Sequence, residues 1–355
     1  MKKVLSVTLV ISVLLCMFST TAFASNTELT TAEKSLLKVQ RIDADGDGDY
    51  TTSDASEFLK AAAGIIADSD GEQYDVDSDG VVSVIDAQKV LKIVSGIDPV
   101  LTQEEALELF NDDINSVKTV RPGFEKEATV VCPSIKITTM KAPIADMNVT
   151  DLEFDKYVDK IVKLMNTFPY NIALDDSMKA QLAEMKAQAK EAYEPQITTK
   201  TVDKTSNAHY SYFPVNNLGW SSKLTMSDIS SISCTVADGS IVYTINMPTN
   251  TYVGDEYPTG AAGFSKRQAL PYGKAFNIPA FDESDGSTVN KVVFRDGVIV
   301  LKEDIVTGDT LSVDYSYNYV VDVTGAKQED SDLIMKTVTT SNIAENYVMN
   351  RVTVK

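Results

Sequence analysis

One histidine, His209, serves all 355 residues of this chain. That scarcity removes most imidazole chemistry. Nucleophile pairs of the Ser–His or Cys–His kind have only His209 to draw on, and no motif near it supplies a nucleophile or a set of metal ligands. Gly-x-Ser-x-Gly, His-Glu-x-x-His and phosphate-loop patterns are absent. Cysteine is nearly as rare, at Cys16, Cys132 and Cys234. An oxidising compartment permits a Cys132–Cys234 bridge, but spacing gives no geometry, and two buried free thiols fit equally well. Basic residues are outnumbered 32 to 51, for a net charge of −19. No basic stripe supports nucleic-acid binding.

Long apolar runs are also missing after the first one, at residues 4–18. Lys2 and Lys3 precede that run, and Ala22-Phe23-Ala24 follows it as a small-x-small cleavage site. The pattern predicts a signal peptide over residues 1–24, cleavage after Ala24, export, and a soluble mature chain. The run is short for a membrane span. Leu15, just before Cys16, is too large for the usual lipoprotein signal.

Acid is what the chain has in excess, and it is concentrated. Residues 26–100 hold 16 acids and 6 bases, a net of −10 within the total of −19. Two loops account for much of this. Residues 43–54 place Asp43, Asp45, Asp47 and Asp54 at positions 1, 3, 5 and 12, with Gly48 at position 6. Residues 75–86 repeat the pattern with Asp75, Asp77, Asp79, Asp86 and Gly80. This is the spacing of a twelve-residue calcium loop. Position 7 offers a backbone carbonyl, from Asp49 and Val81, and position 9 a hydroxyl, from Thr51 and Ser83. Shifting the first loop by two residues puts Tyr50 at the glycine position and Ser56 at the closing one, so that register fails. Two Ca2+ ions are therefore expected. Without them, carboxylates about 5 Å apart repel by roughly 1 to 3 kcal/mol per pair.

The repeat extends past the ligands. Ala55, Phe58, Leu59, Lys60, Gly64 and Ile65 align with Ala87, Val90, Leu91, Lys92, Gly96 and Ile97. Each loop should open a short amphipathic helix that stops at glycine.

On these residues, about 29–99 resembles the dockerin family. Aspartate at position 12 (Asp54, Asp86), the Asp-Ala pair at each loop end and the Leu-Lys pair in each helix carry the likeness. Such modules lack a full entering helix at each loop. The resemblance implies a docking partner, a cohesin module on a scaffolding protein or cell surface, in extracellular polysaccharide degradation. It places partner contacts at loop positions 10 and 11, here Thr52-Ser53 and Val84-Ile85, with Lys60 and Lys92 beside them. One pair is polar and the other apolar, which favours one binding orientation over two.

Pro99 interrupts the pattern, so a second domain should occupy residues 101–355. Thr102 and Glu105 form a capping-box signature, and Leu107, Phe110, Ile114 and Val117 share a helix face ended by Pro122-Gly123. Residues 124–140 suggest a strand, and 151–167 and 176–194 suggest helices. Asp238-Gly239 and Asp296-Gly297 each suggest a hairpin turn. Residues 311–323, 335–340 and 347–354 suggest further strands. The expected whole is multidomain: a small all-α, dockerin-like calcium module, then an α+β domain with helices packed on a curved antiparallel sheet.

Two aromatic sets stand out. Tyr315, Tyr317 and Tyr319 alternate along one strand face, either to stack on sugars or to line the sheet beneath a helix, the second being favoured. His209, Tyr210, Tyr212, Phe213 and Trp220 form either an exposed patch or ordinary core. The leading expectation is a docking protein with a non-catalytic C-terminal domain. A dockerin-borne glycoside hydrolase and a carbohydrate-binding module are the alternatives, because catalytic carboxylates meet in space rather than in sequence.

Overall fold

The computed structural model describes residues 29–66, 73–140, 152–153, 159, 163, 175–206, 221–281, 283, 287–324 and 340–354. The predicted signal segment and the His209–Trp220 aromatic set lie outside the described residues.

Four helices come first: α1 (Thr31–Ile42), α2 (Thr52–Ala62), α3 (Val84–Val94) and α4 (Gln103–Val120). α1 enters the first loop directly, contrary to the expectation from the resemblance. Its signal is visible in sequence. Thr30 and Glu33 form a reciprocal capping box, and Ala32, Val39 and Ile42 are buried along one side. α2 and α3 end in the same way. Gly64 and Gly96 take positive φ, Ile65 N–H donates to Lys60 O, and Ile97 N–H donates to Lys92 O, each at 2.8 Å. This is the glycine-ended helix stop that the repeat predicts.

α4 matches its expected capping box, with Thr102 N–H donating to Glu105 Oε2 at 2.7 Å. Arg121 closes it in the left-handed region, and its N–H donates to Val117 O at 2.8 Å. Leu107, Phe110, Ile114 and Val117 are buried. α4 also joins the two ends of the molecule. It packs on α1, where Lys38 pairs with Glu105 at 3.2 Å, and on the sheet, where Phe110 meets Tyr243 edge-on at 6.5 Å.

The sheet is antiparallel throughout and nine-stranded. Its strands are β1 (Phe124–Met140), β2 (Leu152–Glu153), β3 (Gln196–Val202), β4 (Ser231–Ala237), β5 (Ser240–Asn246), β6 (Asn250–Val253), β7 (Thr288–Asp304), β8 (Thr310–Thr324) and β9 (Thr340–Val354). The main order is β2-β1-β9-β8-β7-β5-β4, with β3 on β1 and β6 on β7. Helix α5 (Asp176–Tyr193) falls where expected. The helix predicted over 151–167 does not cover Leu152–Glu153, which pair with β1 as a strand; most of the remainder lies outside the described residues. No helix among the described residues is long and apolar enough to cross a membrane.

The two Asp-Gly pairs behave differently. Asp238 and Gly239 both take positive φ and turn β4 into β5, as a two-residue hairpin requires. Asp296 takes φ +54°, but Gly297 does not enter the left-handed region, and the strand runs on. The predicted second hairpin is instead a bulge within β7, between Arg295 and Val298. Packing explains the difference. Gly297 N–H donates to Tyr272 Oη at 3.2 Å and its carbonyl accepts from Met247 N–H at 2.8 Å. The bulge also changes β7's neighbour, from β6 before it to β5 after it.

Tyr315 and Tyr317 are buried, and Tyr319 is partly so. They lie against Phe276, Phe281 and Phe294, next to the short helix α7 (Pro271–Ala275) that follows α6 (Phe264–Ala269). Tyr317 Oη–H donates to Asn277 O at 3.1 Å. The tyrosine row is core, the favoured of its two readings.

A Cβ at Gly297 would lie 2.8 Å from Met247 Cβ and 2.9 Å from the Tyr272 ring. Gly297→Ala should therefore cost about 1–3 kcal/mol by overpacking, measured by urea denaturation. An unchanged midpoint would show that the bulge is loosely held.

Candidate metal centre

Each acidic loop is shaped by the residue that closes it. Thr51 caps α2, its Oγ1 accepting from Ser53 N–H at 3.1 Å. Asp54, three residues on, accepts from Thr51 N–H through Oδ2 at 2.7 Å. Its Oδ1 reaches back to Ala44 N–H at 2.9 Å and Asp45 N–H at 3.3 Å. One fully buried carboxylate thus ties the start of the loop to its end. The second loop repeats this bond for bond. Ser83 caps α3, and Asp86 accepts from Ser83 N–H at 2.8 Å, Val76 N–H at 2.9 Å and Asp77 N–H at 3.3 Å.

Inside each loop the first aspartate accepts from the glycine. Asp43 Oδ2 takes Gly48 N–H at 3.1 Å, and Asp75 Oδ2 takes Gly80 N–H at 2.8 Å. Gly48 and Gly80 sit at φ +89° and +84°, where a side chain is strained. Asp47 and Asp79 accept from Asp49 N–H and Val81 N–H at 2.9 and 2.8 Å.

The fold brings Asp43, Asp45 and Asp54 together, with one oxygen of each within 4.8 Å of the others, and does the same for Asp75, Asp77 and Asp86. Both triads can hold a metal ion. Asp47 and Asp79 are exposed beside them. Asp49, Thr51, Val81 and Ser83 lie on the loop segments between Asp47 or Asp79 and the closing aspartate.

The donor set fits a hard divalent cation. Asp43 Oδ1 is shut from solvent without a hydrogen-bond partner. Burial raises the Asp43 carboxyl above its ordinary range; the Gly48 N–H opposes this, and the Asp54 and Asp47 carboxylates add to it. Asp77 is raised by desolvation, against the Asp79 N–H, with Asp86, Asp79 and Asp75 adding to the effect. A bound cation would outweigh these repulsions and favour the ionised form of each carboxyl.

Between α2 and α3 runs a groove lined by Thr52, Ala55, Ser56, Leu59, Val84, Ala87, Gln88 and Leu91. Thr52, Ser53 and Lys92 are exposed, as are Val84 at 63% and Ile85 at 56%. Lys60 pairs with Glu57 within its own helix. The candidate partner residues of the two repeats therefore flank one partly apolar face.

Outside the loops, sequence reasoning missed a second acidic group. Asp113 on α4 and Glu303 on β7 are buried facing one another, and Tyr243 Oη–H donates to Glu303 Oε2 at 3.1 Å. Among the described residues, Asp113 Oδ2 and Glu303 Oε1 find no donor. A proton held between the two carboxyls would supply one. Burial first, and the facing Glu303 next, hold Asp113 far above the usual carboxylate range. Nothing in either local sequence announces the pair, because 190 positions separate the partners (303 − 113). Cys234, nearby, is a free buried thiol, pushed up to about 12 by burial and then by Glu303 and Asp113.

No protein-family model, curated protein or solved structure matches this chain.

The shared proton has a definite linkage sign. The folded state keeps a proton that the unfolded chain releases near pH 4, so this stability is complete below that pH and declines as pH rises. The expected slope is about −1.4 kcal/mol per pH unit while the proton is retained. Asp113→Asn should flatten that decline between pH 5 and 8, measured by denaturant unfolding of both proteins in excess calcium. Parallel pH profiles would show that the pair holds no proton.

Proposed function

We propose that the N-terminal helical region is a calcium-loaded docking module of the dockerin kind. It would attach the sheet-bearing remainder to a cohesin module on a scaffold or cell surface, in extracellular polysaccharide degradation. The observation that carries this reading is the duplication itself. Two loops share one hydrogen-bond scheme, two oxygen triads and one exposed groove between the helices they start. A purely structural acidic turn would need neither the second copy nor the apolar face.

In this reading Asp43, Asp45, Asp47 and Asp54 hold one Ca2+, with the Asp49 carbonyl and Thr51. Asp75, Asp77, Asp79 and Asp86 hold the other, with the Val81 carbonyl and Ser83. Calcium removes the repulsion within each loop and fixes the first turns of α2 and α3. Those turns present Thr52-Ser53 and Val84-Ile85 to the partner, with Lys60 and Lys92 about two helical turns further on. The apolar pair Val84-Ile85 would form the buried centre of the contact and the polar pair its rim.

The enzymatic alternative finds little support in the Asp113–Glu303 pair. Glycoside hydrolases separate their carboxyls by about 5 Å or more to admit a sugar. This pair is in hydrogen-bond reach, and Glu303 is 1% exposed.

Asp43→Ala with Asp75→Ala should abolish calcium uptake and binding to a panel of cohesin modules, measured by calorimetry. The tertiary circular dichroism of the sheet region should largely persist. Cohesin binding retained by the calcium-free double variant would refute the link between metal and docking.

A further inference from the structure

The two loops match internally but not in what they touch. Gly80 has open space where a Cβ would sit, and Val81 beside it is 59% exposed. Gly48 is buried, and a Cβ there would lie 2.7 Å from Gly239 Cα. Gly239 is the second residue of the β4–β5 turn. Its N–H donates to Gly48 O at 2.9 Å, and the N–H of Asp238 donates to Asp49 Oδ1 at 2.6 Å. On the other side of the same turn, Ile305 N–H donates to Gly239 O at 3.1 Å, while Gln40 of α1 donates through Nε2 to Ile305 O at 2.9 Å. The hairpin tip is therefore clasped between the first loop and the end of β7.

The grip is wired to the cage. Gly48 and Asp49, which hold the turn through a carbonyl and a side chain, themselves hang on the cage carboxylates. Gly48 N–H donates to Asp43 and Asp49 N–H to Asp47. Asp49 occupies position 7, where only the main-chain carbonyl is called on for metal, so its carboxylate is free to reach outward. The second loop has valine at that position and makes no such contact among the described residues.

We infer that the first loop is an internal, cation-dependent joint, which locks the β4–β5 hairpin to the helical region when loaded, while the second loop, which lies beside α1 and α4, carries no such clasp on the sheet. This rests on the calcium reading above. It divides the labour between the repeats: loading the first loop stiffens the chain's own sheet, and loading the second prepares α3 for a partner. A module joined in this way carries the sheet region at a fixed angle rather than on a swinging tether.

Amide hydrogen exchange of the full chain, with Ca2+ as the sole added ligand and native mass spectrometry for stoichiometry, tests the inference. Calcium should slow exchange at Asp238, Gly239 and Ile305 by at least tenfold, and a chelator should restore it. The protection should survive Asp77→Ala in the second loop and be lost in Asp45→Ala in the first. Asp49→Val, which gives the first loop the residue of the second, should still bind two ions yet lose much of the protection at Asp238. Two ions bound with unchanged exchange at the hairpin would overturn the joint and leave the calcium reading standing. No ion bound at all would overturn both.

Discussion

Asp54 and Asp86 carry the constraint on which the helical region depends. Each carboxylate does two jobs at once. It caps the helix that follows by accepting the N–H of the capping residue, and it gathers the start of its loop through two further N–H groups. The same two carboxylates belong to the triads that can hold a metal. Helix capping and loop closure thus use the same carboxylate. A charged group takes three hydrogen bonds in a fully buried position, where loss of any acceptor leaves donors stranded.

The contact between helical and sheet regions is continuous rather than a tether. Val39, Ile42, Phe58 and Val90 belong to the same buried apolar cluster as Phe110, Ile114, Tyr243 and Leu301. α4 supplies the bridge, one face against α1 and another against β4. The polarity of this junction is unusual in one respect: it encloses Asp113, Glu303, Tyr243 and Cys234 together. Burial and the facing Glu303 hold Asp113 far above the usual carboxylate range, and a protonated carboxyl there would make the enclosure tolerable.

Much of this was legible in the sequence because the signals are local. The loops and their closing aspartates, the glycine stops at Gly64 and Gly96, the Thr102–Glu105 cap and the Asp238-Gly239 turn each depend on a few neighbouring residues. The failures are equally instructive. Asp296-Gly297 has the composition of a turn, but Tyr272 and Met247, distant in sequence, hold Gly297 in an extended strand. Thr30-x-x-Glu33 announced α1 as clearly as Thr102-x-x-Glu105 announced α4. The expectation taken from the resemblance, that no full helix enters the loop, hid it. The clasp between Gly48 and Gly239 was not legible at all. It depends on two glycine backbones approaching closely, and a missing side chain leaves no pattern.

Cys234 lies at the heart of the junction, on the strand that leads into the clasped turn. Its thiol is held near pH 12, so almost none of it exists as the reactive thiolate at neutral pH. Oxidants and mixed disulfides act on the thiolate, and they need access that burial denies. The low thiolate fraction of Cys234 is therefore a consequence of the packing around it.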